Sequence, residues 1–229
     1  MTDLPNAVML FAAGFGTRMR PLTDEIPKPM VELGGRPLID RALELVSEVE
    51  PANVVVNTHY KPEPLEAHLS GRGVTVLREE PNILDTGGGL RNALPQLGTD
   101  PVWTMNPDVV WIGPNPLEFT RKYWRPAEMD ALLVCVPVEN CISRSGEGDF
   151  TVSASGALSR GGSLMYGGVQ IIKTEILHSI KEAAFSLNRI WDLYIADGRC
   201  HGCIYPGSWC DIGSPDGLET AKSLIAAQS

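Results

Sequence analysis

The sequence predicts an α/β fold: three layers, α/β/α, with helices on both faces of a mixed, mostly parallel central sheet. Three observations predict it. Short apolar runs alternate with amphipathic stretches from residue 7 to residue 138. Glycines follow the first apolar run without a break, as a strand running straight into a ligand-facing loop would have them. Beyond residue 138 the texture changes to short strands separated by Gly and Ser, the signature of antiparallel hairpins. Alternating strand and helix builds a parallel sheet covered on both sides, and the hairpins make it mixed.

The elements follow in order. Residues 7–11 (AVMLF) read as a buried strand, and 38–49 (LIDRALELVSEV) carries apolar residues at helical spacing. Residues 53–57 are a β-branched strand, 63–69 a short helix and 74–77 a strand. Residues 88–97 read as helix, 102–105 as strand, 117–124 as helix and 131–138 as a strong strand. Then come short strands at 149–153, 157–159 and 164–172. Helices return at 175–183 and 187–196, a strand follows at 200–205, and a helix with Pro in its first turn spans 215–227. No repeat or linker interrupts this order, so a single domain over 1–229 is expected.

Composition narrows the function. The chain has 229 residues, 43% hydrophobic and 21% charged, enough for a large core without staples. Nineteen Lys and Arg against 28 Asp and Glu give a net charge of −9. That argues against a nucleic-acid binder with a broad basic face and against a polybasic membrane anchor. No apolar run approaches the ~18 residues of a membrane span, and the stretch 7–13 is too short for a signal peptide. Five cysteines without framework spacing suit a reducing cytoplasm. Cys200 and Cys203 form a C-x-x-C, but no second ligand pair accompanies them, so they read as strand positions.

The first strand leads into Ala12-Ala13-Gly14-Phe15-Gly16-Thr17-Arg18-Met19-Arg20-Pro21-Leu22-Thr23. Small residues there let backbone N–H groups approach an anion. Met19 breaks the dinucleotide G-x-G-x-x-G, and no Gly-Lys-Ser/Thr follows for a Walker A loop. Arg18, Arg20 and the stiffened Pro27-Lys28-Pro29 add three cations, which together suggest a phosphate clamp. Asn106-Pro107-Asp108 ends a strand, and Trp209-Cys210-Asp211-Ile212-Gly213 follows another. Carboxylates at strand ends can hold Mg²⁺, a hard cation that travels with phosphates.

These motifs resemble those of the sugar-1-phosphate nucleotidyltransferases, whose N-terminal pattern matches from Leu10 to Thr23 and again at 27–29. The resemblance implies a Rossmann-like nucleotide-diphospho-sugar transferase fold. It implies that Ala12, Ala13, Gly14, Gly16 and Thr17 hold the nucleotide, that Arg18 and Lys28 act on the phosphates, and that Asp108 and Asp211 share Mg²⁺. It also implies a nucleoside triphosphate and a sugar 1-phosphate as partners, with the chain a monomer or homodimer. The family usually has Gly where this chain has Pro107, so the metal loop is expected to differ slightly.

Glu79-Glu80-Pro81 followed by Asp85-Thr86-Gly87-Gly88-Gly89 resembles the base-binding segment of short bacterial members that use uridine triphosphate. It implies that Glu80, Thr86 and Gly87 contact the nucleotide, although a capped helix start would also explain residues 85–86. Gly148-Asp149-Phe150 and Met165-Tyr166-Gly167-Gly168-Val169 imply a sugar site at Asp149, Tyr166 and Gly167. Asn57 and His59 end a strand near that edge, with His59 read as a supporting residue. The chemistry implied is in-line attack of a sugar-phosphate oxygen on the α-phosphate, which needs positioned charge and no Ser or Cys nucleophile. Two alternatives stay open: a guanylyltransferase acting on mannose or heptose 1-phosphate, and a regulatory subunit that senses nucleotide sugars without catalysis.

Overall fold

A computed structural model describes residues 4–144 and 146–226. The chain begins with β1 (Ala7–Phe11) and, after the glycine loop, makes a small hairpin of β2 (Glu32–Leu33) and β3 (Arg36–Pro37). Then follow α1 (Leu38–Ser47), β4 (Asn53–Thr58), α2 (Pro62–Leu69), β5 (Thr75–Arg78), α3 (Asp85–Leu97) and β6 (Val102–Met105). Next come β7 (Val109–Ile112), α4 (Pro116–Tyr123), β8 (Ala131–Pro137), β9 (Cys141–Ile142), β10 (Phe150–Val152), β11 (Leu158–Arg160) and β12 (Leu164–Ile172). The chain closes with α5 (Leu187–Ala196), β13 (Cys200–Ile204), β14 (Ser208–Asp211) and α6 (Pro215–Ala226).

The central sheet is mixed as predicted. β4 and β6 flank β1 in parallel, β5 extends β4, and β13 runs parallel to β8. β12 lies antiparallel between β6 and β8, and β10–β11 form the antiparallel edge. Only β11 and β12 therefore run against the other strands of this sheet among the described residues.

Strand alternation builds the three layers. On β1, Val8 and Leu10 face one core with Ile39, Ala42, Leu65 and Leu117 from α1, α2 and α4. Ala7 and Met9 face the opposite core with Leu90, Ala93, Leu187 and Ile190 from α3 and α5. A third, smaller core joins Met19, Val31, Leu33, Cys210, Ile212 and Leu218 beneath α6. It ties the glycine loop to β14, far along the chain.

Several elements depart from expectation. Residues 175–183 form a short 3-10 helix at Glu175–Ser179 and then run irregularly. The Arg91 guanidinium takes the carbonyls of Leu177, Ile180, Glu182 and Ala183, which ties this segment to α3 in an irregular course. α3 starts at Asp85 rather than 88 and stops at Gly98, whose left-handed φ of 66° suits glycine. The terminal helix reaches Ala226; the expected end at 227 lies outside the described residues. A separate sheet, β7–β14–β9, was not foreseen.

Candidate active site

Because β1 has β4 on one side and β6 on the other, the strand order reverses at β1. Open α/β sheets bind ligands in the crevice at such a point, beyond the carboxyl ends of the strands. Three adjoining hollows lie there. One of about 310 Å³ is lined by Arg18, Asp108, Asp149, Tyr166 and Asp211. Another of about 230 Å³ is lined by Ala13, Gly14, Asn57, Glu79, Thr86 and Asp108. A small third, about 60 Å³, is lined by Ala12, Gly14, Gly16, Lys28 and Asp108. Asp108 is common to all three and stands at their junction.

The register of β7 on β14 brings the two aspartates together. Asp211 pairs with Val109, and the Ile212 N–H donates to the Asp108 carbonyl at 3.1 Å. Pro107 does not displace Asp108 from the cleft. The Lys28 ammonium lies 2.5 Å from Asp108 Oδ2, with both side chains partly buried. Arg18 joins Asp211 through the third core: Met19 on one side and Cys210 and Ile212 on the other are buried in it. A Cβ built on Gly213 would sit 2.8 Å from Asp211 Oδ2 and 2.9 Å from Arg18 Nη1, so both groups crowd the same glycine.

Burial pushes the Asp211 carboxyl above its ordinary value, and the negative charge of Asp108 adds to this. The Lys28, Arg18 and Arg144 cations oppose it. Two neighbouring carboxylates, with oxygen donors only, fit a hard divalent cation. No third Asp, Glu, His or Cys gathers with them among the described residues. A cation there would draw its other ligands from phosphate oxygens and water.

The glycine loop is partly committed to its own support. The Ala12 N–H donates to Asn57 Oδ1 at 2.7 Å, so it is not free for phosphate. Gly16 has φ 62°, and a Cβ there would meet the Thr23 methyl at 2.9 Å. Only glycine fits this left-handed, close-packed position comfortably. Thr17 opens an exposed 3-10 turn and lines none of the three hollows. Arg20 also points away, exposed and paired with Asp24 at 3.3 Å.

Of the two adjacent glutamates, Glu79 reaches the cleft and Glu80 does not. Glu79 is 1% exposed, accepts from Asn57 Nδ2 and from the Leu84 N–H, each at 2.7 Å, and lines the 230 Å³ hollow. Glu80 is exposed and lies near Arg78. His59 supports from behind, its Nδ1 2.8 Å from the Glu79 carbonyl.

Thr86 lines both larger hollows, and its hydroxyl accepts from the Leu187 N–H at 2.9 Å. Gly87 is turned inward, its N–H bonded to the Phe185 carbonyl at 2.8 Å. At the end of the cleft where the resemblance expects the sugar, Asp149 Oδ2 accepts from the Tyr166 N–H at 2.9 Å. The Tyr166 ring lines the cleft, but its hydroxyl is buried against Thr104, and burial raises the phenol well above its ordinary value. Gly167 faces Trp111 instead of the cleft: a Cβ there would lie 2.4 Å from the indole. Sequence reading missed Glu79, Arg144 and Arg160, all of which line the cleft.

A cleft at the switch point of an α/β sheet, with Arg18 and Lys28 beside a carboxylate pair, fits a nucleotidyltransferase. Residues 8–158 match the MobA-like NTP transferase domain. The N-acetylmuramate alpha-1-phosphate uridylyltransferase of Caulobacter vibrioides is 34% identical over 240 residues, covering 99% of each chain. The mannose-1-phosphate guanyltransferase of Pichia angusta is 27% identical, covering 90% of this chain and 60% of that one. HddC from Yersinia pseudotuberculosis, crystallised with GMP-PN, superposes with a TM-score of 0.77 at 20% identity, covering 96% of this chain and 99% of that one. The chain belongs to the MobA-like NTP transferase family, among its sugar-1-phosphate nucleotidyltransferases. No helix among the described residues is long and apolar enough to cross a membrane.

Proposed function

We infer that this chain transfers a uridylyl group from UTP to N-acetylmuramate 1-phosphate with Mg²⁺ bound, releasing pyrophosphate. The observation that carries the chemistry is the convergence of Arg18, Lys28, Asp108 and Asp211 on one cleft. The full-length similarity to a uridylyltransferase supports the choice of substrates. An oxygen of the sugar phosphate attacks the α-phosphorus. A new P–O bond forms as the bond to the bridging α–β oxygen breaks, and pyrophosphate leaves with the electron pair. The nucleophile is already an anion near neutral pH, so no side chain need deprotonate it.

The chain's own residues hold charge where it develops. Lys28, fixed against Asp108, neutralises the attacking phosphate and the α-phosphate. Arg18 stabilises the leaving pyrophosphate. Asp108 and Asp211 would hold Mg²⁺, which when bound supplies further neutralisation of phosphate oxygens. Glu79 and Asn57 brace the glycine loop beneath the nucleotide, with Thr86 on the facing wall. A cytoplasmic location belongs to this reading, on the odd cysteine count.

The test is a pyrophosphate-release screen with Mg²⁺, crossing the four nucleoside triphosphates with a panel of sugar 1-phosphates. The fastest pair should be UTP with N-acetylmuramate 1-phosphate. Faster release from GTP with mannose 1-phosphate would make the chain a guanylyltransferase. No release from any pair would favour a sensing role.

A further inference from the structure

Arg160 stands apart from the phosphate machinery and yet lines the same cleft, at its sugar end with Asp149, Tyr166 and Asn188. Its guanidinium is held from three sides. Nε donates to Asp192 Oδ1 at 2.8 Å, and Nη2 donates to the Asn188 carbonyl at 3.0 Å. The plane lies over two rings, 4.8 Å from the Phe150 centroid and 5.7 Å from that of Trp191. Trp191 in turn meets Tyr166 edge-on at 4.8 Å. Nη1 has no hydrogen-bond partner among the described residues.

A guanidinium on a flexible stem usually loses rotamer entropy when it binds. Here Asp192, Asn188 and the two rings have fixed it beforehand. A second feature of the same wall also favours negative charge. Ser186, Leu187 and Asn188, the N-terminal end of the ten-residue α5, line this end of the cleft. The positive end of a helix dipole and a fixed guanidinium therefore face one volume. The phosphates already have Arg18 and Lys28, so this second cationic corner calls for a different anion, carried by the sugar itself.

We propose that Arg160 is a specificity residue that binds a carboxylate on the sugar ring. This rests on the reading above, because N-acetylmuramate differs from N-acetylglucosamine in carrying a lactyl ether that ends in a carboxylate. The free Nη1 edge donates to that carboxylate, and the helix end adds to the field. A neutral sugar gains nothing from this corner: the guanidinium keeps Asp192 as its charged partner, and its Nη1 stays unused.

The experiment measures kcat/KM with UTP for N-acetylmuramate 1-phosphate and N-acetylglucosamine 1-phosphate, in the wild type, Arg160→Gln and Arg160→Lys. Thermal melting checks that each variant folds. The ratio of the two kcat/KM values should fall by about 10-fold to 100-fold in Arg160→Gln, the range expected for a hydrogen bond between charged groups. Arg160→Lys should recover part of the ratio, because it keeps charge without the planar fork. An unchanged ratio in Arg160→Gln, whether both sugars slow together or neither does, overturns the proposal and leaves the substrate reading standing. A wild type that uses only carboxylate-free sugar phosphates overturns both.

Discussion

Lys28 and Asp108, 80 residues apart in sequence, meet at 2.5 Å where the three hollows of the cleft adjoin. The contact joins the turn after the glycine loop to the end of β6. Each side chain therefore fixes the other's position before substrate arrives. Lys28→Ala and Asp108→Asn should each lower turnover by about 10²–10³, the cost of removing one preorganised charge. The double variant should lose far less than the product of the two, because each single change already breaks the same pair. Steady-state pyrophosphate release reads this out, and turnover within a few-fold of wild type in either single variant would refute the assignment.

Asp211 links activity and stability with opposite signs. Burial and the neighbouring Asp108 raise its pKa in the folded state above the unfolded value. Between those two values the folded chain binds more protons, so the contribution of Asp211 makes stability fall as pH rises. Asp211→Asn removes the buried charge. It should melt higher than wild type at pH 7, by roughly 2–4 °C for each kcal/mol relieved. The advantage should shrink as pH is lowered and Asp211 in the wild type becomes protonated. Turnover of the variant should drop about 10²-fold or more. A variant that melts lower than wild type at pH 7 would show that the carboxylate is net stabilising.

The two glutamates before Pro81 make a paired test. Removing Glu79 leaves the Leu84 N–H and the Asn57 amide without their acceptor inside the protein. Glu79→Ala should cost about 1–3 kcal/mol for a stranded buried group, and Glu79→Gln less. Because Asn57 also holds the Ala12 N–H, Glu79→Ala should raise the KM for the nucleoside triphosphate as well. Glu80→Ala should stay within about 0.5 kcal/mol, as an exposed change does. Urea unfolding of the three variants decides it: equal losses at 79 and 80 would contradict the network.

Those two residues also show where sequence reading stops. Arg18, Lys28, Asp108 and Asp211 were legible because their motifs are long, and the two aspartates also because each lies at a strand end. Adjacent acids in an extended segment face opposite ways, and sequence alone does not say which is inside; the expectation at Glu80 falls on the exposed one. β7 and β14 are four residues each, too short for a pattern, yet their pairing sets the aspartates side by side. Arg160 lies on a short hairpin strand opposite Phe150, and its other partners Asn188 and Trp191 come from α5. The expected helix over 175–183 failed for a similar long-range reason. Local propensity cannot register that Arg91 claims its carbonyls.

Gly87 offers a test of how α3 is docked. Its N–H and that of Gly88 both donate to the Phe185 carbonyl, at 2.8 and 3.1 Å. The Phe185 backbone thus serves the first turn of the helix, which has no side-chain cap at its N-cap residue. A Cβ at position 87 would lie 2.4 Å from the Phe185 ring and 2.9 Å from its carbonyl oxygen. The ring can turn, but the carbonyl cannot move without releasing the helix start. Gly87→Ala should therefore destabilise by about 1–3 kcal/mol, the usual cost of overpacking, despite the better helix propensity of alanine. Thr86 is one residue away and bonds Leu187 on α5, so the shift should also disturb the wall between the two larger hollows. The expected kinetic result is a several-fold rise in KM for both substrates with a smaller change in kcat, because Lys28, Asp108 and Asp211 stay in place. If the variant gains stability instead, the close contact with Phe185 does not hold in solution.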